Sequence, residues 1–390
     1  MSLRHWLQLS LTEGIGPILI GRLIKTAGDV ERATEASVSL LRSVEGIGAA
    51  KAASIAESLK RAAGEVDAEL DRAAKANISL ICRDDETYPA LLREIPDPPA
   101  VLYVRGQLEP RDLNAIAIVG SRRCSFYGRE QAERFGALLA GAAMTVISGG
   151  ARGVDSSAHR GALNATNGRT IAVLGSGVDV AYPPENDKLF VEIAAGRGAV
   201  ISEYPMGTPP VAENFPRRNR IVSGMSRGVL VIEADERSGA LITARQACED
   251  HGRPVFALPG RVDNKLSAGP HKLIREGATL VTSLEEIIEG LAPLPQSAME
   301  PRVFAAASQE LAAKPQATES KSHVPDIELG LSDPQRAILA QLDGAEVDVD
   351  TIVERSELPA HVVMGELTFL TLRGVVRRVE GQRFARASKR

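Results

Sequence analysis

Between residues 78 and 290, short unbroken apolar runs alternate with stretches of helical pattern, and this alternation constrains the fold more than any other feature of the chain. The runs are 78–82 (ISLIC), 100–104 (AVLYV), 115–119 (AIAIV), 145–148 (TVIS), 170–174 (TIAVL), 199–202 (AVIS), 228–233 (GVLVIE), 254–258 (PVFAL) and 279–281. A half-exposed strand alternates apolar and polar residues. An unbroken apolar run belongs to a strand covered on both faces, as in a parallel sheet with crossover helices. The expected fold class is therefore α/β, with a Rossmann-like extended parallel-sheet core over 73–291.

Three further zones flank this core. Residues 1–72 read as a helical domain containing two similar turns, Glu13-Gly14-Ile15-Gly16 and Glu45-Gly46-Ile47-Gly48. Residues 292–330 are rich in Pro, Ala, Ser, Gln and Lys without steady periodicity and read as a flexible linker. Residues 331–390 return to compact patterning. Helix starts at Ser332-Asp333-Pro334 and Asp350-Thr351 precede a third helix over 360–373, and two short runs flank Glu380-Gly381 as a hairpin, which together predict a winged helix.

Composition narrows the function classes. With 46 Lys+Arg against 50 Asp+Glu the net charge is −4, so any basic site must be local. Aromatics are 4% of residues, which argues against a broad platform for stacking bases. The three cysteines, Cys82, Cys124 and Cys248, are far apart and form no C-x-x-C pair, so neither a disulfide framework nor a metal site is expected. The first eleven residues, MSLRHWLQLSL, lack a small-residue cleavage site. No apolar run approaches the ~18 residues of a membrane span. A cytoplasmic location is the expectation.

Ligands of an open parallel sheet collect beyond the carboxyl ends of its strands. Reading only those positions yields Gly120, Ser121, Arg122, Arg123 and Ser125 after 115–119, then Gly149, Gly150, Arg152 and Gly153 after 145–148, and Ser238 and Gly239 after 228–233. Glycine admits close backbone approach, small hydroxyls donate, and helix N-termini add N–H groups. The segment Arg217-Arg218-Asn219-Arg220 could add charge to the same rim, and the whole reads as an anion or phosphate site. Asp155 and His159, at i and i+4 on the helix after Gly153, share a face and could form a structural hydrogen bond, an acid–base pair or a helper at the anion site. Sharper motifs fail their context. Gly175-Ser176-Gly177 lacks the third glycine of a dinucleotide fingerprint, and no G-x-x-x-x-G-K-[ST] occurs, so no cofactor is expected. Gly224-Met225-Ser226-Arg227-Gly228 has the spacing of a nucleophile elbow but precedes a strand instead of following one.

The combined spacings resemble the DNA-processing protein A (DprA, also called Smf) family. The resemblance runs through Tyr88-Pro89, Pro98-Pro99, Val119-Gly120-Ser121-Arg122, Ser148-Gly149-Gly150-Ala151-Arg152-Gly153-Val154-Asp155, Phe215-Pro216-Arg217-Arg218-Asn219-Arg220 and Ser238-Gly239-Ala240-Leu241-Ile242-Thr243. Gly150 stands where family members commonly carry Leu, a change without effect on charge. The resemblance implies a non-catalytic protein that binds single-stranded DNA during natural transformation, protects it and loads RecA on it, working as a homodimer. It also implies that Gly120, Ser121, Arg122, Arg217, Arg218 and Arg220 line the DNA groove. The sheet is similar as well to phosphoribohydrolases of the lysine-decarboxylase-like type, the rival reading. The corresponding stretch here, Ser238 to Gln246, lacks their glutamate.

The two Gly-Ile-Gly turns resemble helix-hairpin-helix elements, whose helix-start N–H groups meet DNA phosphates, and equally the packing turns of a sterile-alpha-motif-like domain. From Arg373 to Arg390 there are seven basic residues and one acidic residue, so Arg377, Arg378 and Arg383 on the wing are auxiliary candidates for strand contact or for a protein interface. The presumed recognition helix carries His361 and Glu366 but no Arg, Asn or Gln fork for base edges, which argues against sequence-specific readout.

Overall fold

The computed structural model describes residues 2–292, 333–342, 347–356, 358, 363, 366, 367, 370, 371, 375–379 and 383–386. The linker expected over 292–330 lies, apart from Ala292, outside the described residues, as do His361 and the Glu380-Gly381 turn. The chain separates into two compact units, Met1–Leu311 and Ala312–Arg390.

The first unit opens with helices α1 (Ser2–Leu11), α2 (Pro17–Ala27), α3 (Val30–Thr34), α4 (Val38–Ser43) and α5 (Ala49–Lys75). The two repeated turns have one construction. Gly14 and Gly46 take φ of 85° and 92°, a region that favours glycine, and Gly16 and Gly48 then start α2 and α5. Ile15 and Ile47 turn inward and are buried in one cluster with Trp6, Leu9, Leu23 and Ile55. That cluster continues into Val101, Tyr103 and Met206 of the following region, so the helices and the sheet share a core.

The sheet strands are β1 (Ser79–Cys82), β2 (Val101–Gly106), β3 (Ala115–Val119), β4 (Thr145–Ser148), β5 (Thr170–Val173), β6 (Gly198–Ser202), β7 (Gly228–Val231), β8 (Val255–Ala257) and β9 (Thr279–Leu280). Each falls on one of the nine apolar runs. Their order is β1-β2-β6-β5-β4-β3-β7-β8-β9. From β6 to β9 every pairing is parallel, while β1 and β2 form an antiparallel edge against β6. An extended edge of this kind is invisible in an apolar run, because pairing direction leaves no mark on composition.

The continuity of the runs has the expected cause. Ile116 and Ile118 of β3 pack with Val146 on one face, against Phe135 and Leu139 of α7 (Phe126–Gly141) and Ala158 of α8 (Val154–Asn164). Ala117 and Val119 point to the other face with Val229 and Val231, against Ile221 and Val222 of α10 (Asn214–Gly224) and Ala244 of α11 (Gly239–Arg245). A period of two with both faces buried leaves no polar position in the middle of the strand. The remaining helices are α6 (Ala90–Arg93), α9 (Asp187–Glu192), α12 (Ala268–Arg275) and α13 (Leu284–Glu289).

In the second unit, helices Asp333–Gln341 and Val349–Ser356 bury Ile338, Leu342 and Ile352 together with Val363, Leu367 and Leu370. Strands β10 (Val347–Asp348), β11 (Val376–Val379) and β12 (Arg383–Arg386) form an antiparallel sheet in the order β10-β12-β11. This is the helix-and-wing arrangement the patterning predicts.

Candidate functional site

The chain runs from β3 through β4 and β5 to β6 in one direction, then crosses back to place β7 on the other side of β3. Neighbouring crossovers part at that point, so a crevice opens beyond the carboxyl ends of β3 and β7. A cleft of about 850 Å³ lies there, lined by the loops after β3, β4 and β7 and by α10.

The floor is backbone held under tight steric constraint. Ser121 N donates to Glu233 O at 2.6 Å, and a Cβ on Gly120 would meet Val154 Cγ2 at 2.6 Å. Gly153 has φ of 75° and its missing Cβ would fall 2.4 Å from Ser121 O. Both glycines are therefore fixed by packing of one loop against the next. Gly149 leaves room for Arg218, whose Nη1 would lie 2.0 Å from an added Cβ. Gly150 takes φ of 64° and borders Phe190, which occupies the space a side chain would need.

The arginines fall into three groups. Arg122 and Arg123 are exposed at the cleft, and among the described residues neither has an ion-pair partner. The Arg122 guanidinium sits over the Phe215 ring, 5.0 Å from its centroid. Arg218 is 3% exposed and lines the floor, with Nη1 donating to Val173 O at 2.6 Å and no hydrogen-bond partner for Nε among the described residues. Burial pulls its guanidinium down to about 10, and nearby Asp155 opposes the shift. Other arginines are already engaged. Arg152 is paired through two nitrogens with Glu185.

Two expected rim residues prove to be elsewhere. Arg220 is 5% exposed and holds Glu203 through both terminal nitrogens at 2.8 Å and Asp97 through Nε at 2.8 Å, so it ties α10 to the loop before β2 and is not a rim cation. Burial alone would lower its pKa, and the two carboxylates more than reverse that. Arg217 is exposed but lines a neighbouring cleft, with Arg245 and the Gly14-Ile15-Gly16 turn. Asn219 lines the first cleft and donates through Nδ2 to Gly239 O at 3.3 Å, which links α10 to α11.

The hydroxyls serve mainly as caps. Ser125 caps α7 by accepting from Gly128 N at 3.1 Å, while its own N and Oγ donate to Glu233 at 2.8 and 2.7 Å. Glu233 is 1% exposed and also accepts from Asn264 Nδ2 at 3.3 Å. Ser238 accepts from Ala240 N at the start of α11, beside the open Gly239. Ser121 Oγ accepts from Arg123 N at 3.1 Å and holds the loop that presents Arg122.

Asp155 and His159 divide. Asp155 is at the cleft floor, accepting from Ala151 N at 3.3 Å. Burial pushes its carboxyl up, and Arg218 and the Ala151 N–H pull it back. His159 is fully buried and faces the sheet, with Nδ1 at 2.7 Å from Thr170 Oγ1. Thr170 Oγ1 donates to Val146 O at 2.6 Å, so it accepts from His159, which fixes the proton on Nδ1. Burial, with Arg218 and Arg160 adding to it, lowers this imidazole to about 3. It is a neutral packing histidine.

Sequence reading missed Arg237 and Lys265, both exposed cations at the cleft without ion-pair partners among the described residues. Lys265 belongs to the loop after β8, well outside any glycine turn, and only the sheet order brings it near. It also missed the pair Tyr182 and Phe215, whose ring centroids are 5.4 Å apart at the cleft wall. Counting its lining, the cleft holds five Lys or Arg side chains against Asp155 and Asp235, so its sign is positive although the chain is acidic overall. On the second unit, Arg377 and Arg378 lie on β11 and Arg383 faces Asp348 across the β10–β12 pair. Among the described residues no group of His, Cys, Asp and Glu could hold a metal, and no helix is long and apolar enough to cross a membrane.

Residues 79–292, which carry the sheet and the whole cleft, match the family model of DNA recombination-mediator protein A. The chain belongs to that family. Residues 312–382 match the DprA winged helix domain. The chain is 41% identical to Protein Smf of Escherichia coli over 305 residues, 78% of this chain and 76% of that protein. It is 45% identical to the DNA processing protein DprA of Streptococcus pneumoniae over 204 residues, 52% of this chain and 71% of the relative. The X-ray structure of the Streptococcus pneumoniae DNA processing protein A is similar with a TM-score of 0.63 at 35% identity, covering 74% of this chain and 96% of that one.

Proposed function

We propose that this recombination-mediator family member binds single-stranded DNA along the cleft beyond β3 and β7, protects it and loads RecA on it, acting as a homodimer in the cytoplasm without a catalytic step. The observation that carries the reading is the cleft's unbalanced charge. Arg122, Arg123, Arg237 and Lys265 stand exposed without ion-pair partners among the described residues, above the buried Arg218. Cations left unpaired at a strand-end crevice suit a polyanion, and their attraction is indifferent to sequence. Gly120, Ser121, Gly149 and Gly239 line the cleft and bring its backbone within reach of the strand, Gly150 and Gly153 hold the packing of the loops behind them, and Arg217 extends the basic edge into the neighbouring cleft. Arg377, Arg378 and Arg383 are auxiliary contacts in this reading.

The experiment is a titration of the full chain with labelled oligo-dT across a salt series, together with Arg122→Ala. Each lost phosphate contact flattens the slope of log K against log[salt] by about 0.7, the single-strand value. Arg122 is exposed, so its loss should leave the melting temperature close to that of the wild type. A slope that stays the same, with a lower melting temperature, would mean that Arg122 braces the turn and does not meet phosphate. RecA loading is read separately, as the rate of filament assembly on oligo-dT with and without the protein.

A further inference from the structure

Phe126, the first residue of α7, is 75% exposed, and Val262 in the loop after β8 is 94% exposed. Single exposed apolar residues are ordinary. The segments that carry them adjoin, because both are tied to the same buried carboxylate: Glu233 accepts from Ser125, the neighbour of Phe126, and from Asn264, two residues beyond Val262. Tyr127, 41% exposed, closes the join by donating from its hydroxyl to Pro259 O at 3.2 Å. The backbone under Phe126 is thereby pinned at Ser125, capped at Gly128 and stapled through Tyr127, while the ring itself faces water. Arg123, three residues before it, and Arg129, three residues after, are both exposed and without ion-pair partners among the described residues, and Glu130 next to Arg129 is exposed as well.

An apolar face on an anchored backbone, three residues from Arg123 at the cleft, fits a ligand that is itself flat, apolar on its faces and anionic along its edge. We propose that Phe126 is a stacking platform for one unpaired nucleobase of a strand whose phosphates run over Arg122 and Arg123. The proposal rests on the reading of the cleft above. It adds a contact to bases, which charge alone does not provide, and so favours an unpaired strand over a duplex, whose bases have no free face.

The test compares oligo-dT with an abasic oligonucleotide of equal length, which keeps the phosphates and lacks the bases. Full-length wild type, Phe126→Ala and Phe126→Trp are titrated with each. Stacking on one aromatic residue corresponds to a loss of about tenfold in affinity for oligo-dT on Phe126→Ala. The salt slope and the affinity for the abasic strand should stay unchanged, and Phe126→Trp should restore binding with its added fluorescence quenched on saturation by oligo-dT. Equal affinity of wild type and Phe126→Ala for oligo-dT overturns the platform and leaves the patch to another occupant, such as a protein. An equal loss for both ligands overturns it too, since the residue would then support the backbone path. If wild type binds neither strand, the cleft reading itself has failed.

Discussion

His159 shows how one buried side chain links pH to stability. In the native state its imidazole stays neutral down to about 3, whereas the same group unfolded titrates near 6.5. Between these values the unfolded chain holds one more proton than the folded one, so stability falls as pH falls, by about 1.4 kcal/mol per pH unit from this residue. Above about 6.5 both states are neutral and His159 has no effect. In His159→Asn, whose amide can still donate to Thr170 Oγ1, chemical denaturation between about pH 6 and pH 4 should show a shallower decline by close to that slope. Identical slopes in the two proteins would mean that the native imidazole titrates normally. The three arginines of α10 illustrate a different lesson at this scale. At 100° per residue, Arg217, Arg218 and Arg220 leave the helix in three directions, to an open cleft, a cleft floor and a half-buried pair of carboxylates. Residue type and neighbourhood in sequence are the same for all three, and their physical fates are not.

Between elements, the crossing of α7 and α8 is a close backbone contact. A Cβ on Gly161 would stand 2.0 Å from Glu133 O, and one on Gly136 would stand 2.4 Å from Ala158 O. Backbone atoms cannot step aside as a flexible side chain can, so either substitution must push the helices apart. The loops that lead into both helices line the cleft, with Arg123 before α7 and Ala151 before α8. Gly161→Ala should therefore destabilise the protein by roughly 1–3 kcal/mol, the range for overpacking. Gly141→Ala, at the end of α7 where an added Cβ meets nothing within 4 Å, is the control and should be neutral or stabilising. Thermal melts of the two variants decide it: a shift of the same sign in both would remove the steric explanation.

For the whole molecule, the helices over residues 2–75 are part of the first unit's core. Trp6, Leu9, Ile55 and Val66 are buried in one cluster with Val101, Tyr103 and Met206, and Glu69 on α5 accepts from Met206 N at 2.8 Å. Removing residues 1–75 would uncover Tyr103 and Val101 on the sheet edge and orphan the Met206 N–H. The fragment 76–390 should accordingly melt well below the full chain and bind a hydrophobic dye at temperatures where the full chain does not. An unchanged melting temperature would show that the shared cluster adds no cohesion.

The sequence alone determined the nine strands, the α/β class and the loops of the cleft. Strands buried on both faces must be apolar without interruption, and close loop crossings at strand ends must be glycine, and both demands are local. The paired helix turns at Gly14 and Gly46 were legible for the same reason, since a positive φ leaves its mark on a single residue. What the sequence could not decide was where each charge and ring finds its partner. Ser125 is consumed by Glu233, 108 residues away, and Arg220 by Asp97, 123 residues away. Lys265 reaches the cleft only because β7 and β8 lie on the far side of β3. Phe126 stays in water although composition argued against an aromatic platform. Burial patterns are short-range consequences of backbone geometry. The pairing of charges and the exposure of a ring depend on strand order, which tertiary packing alone sets.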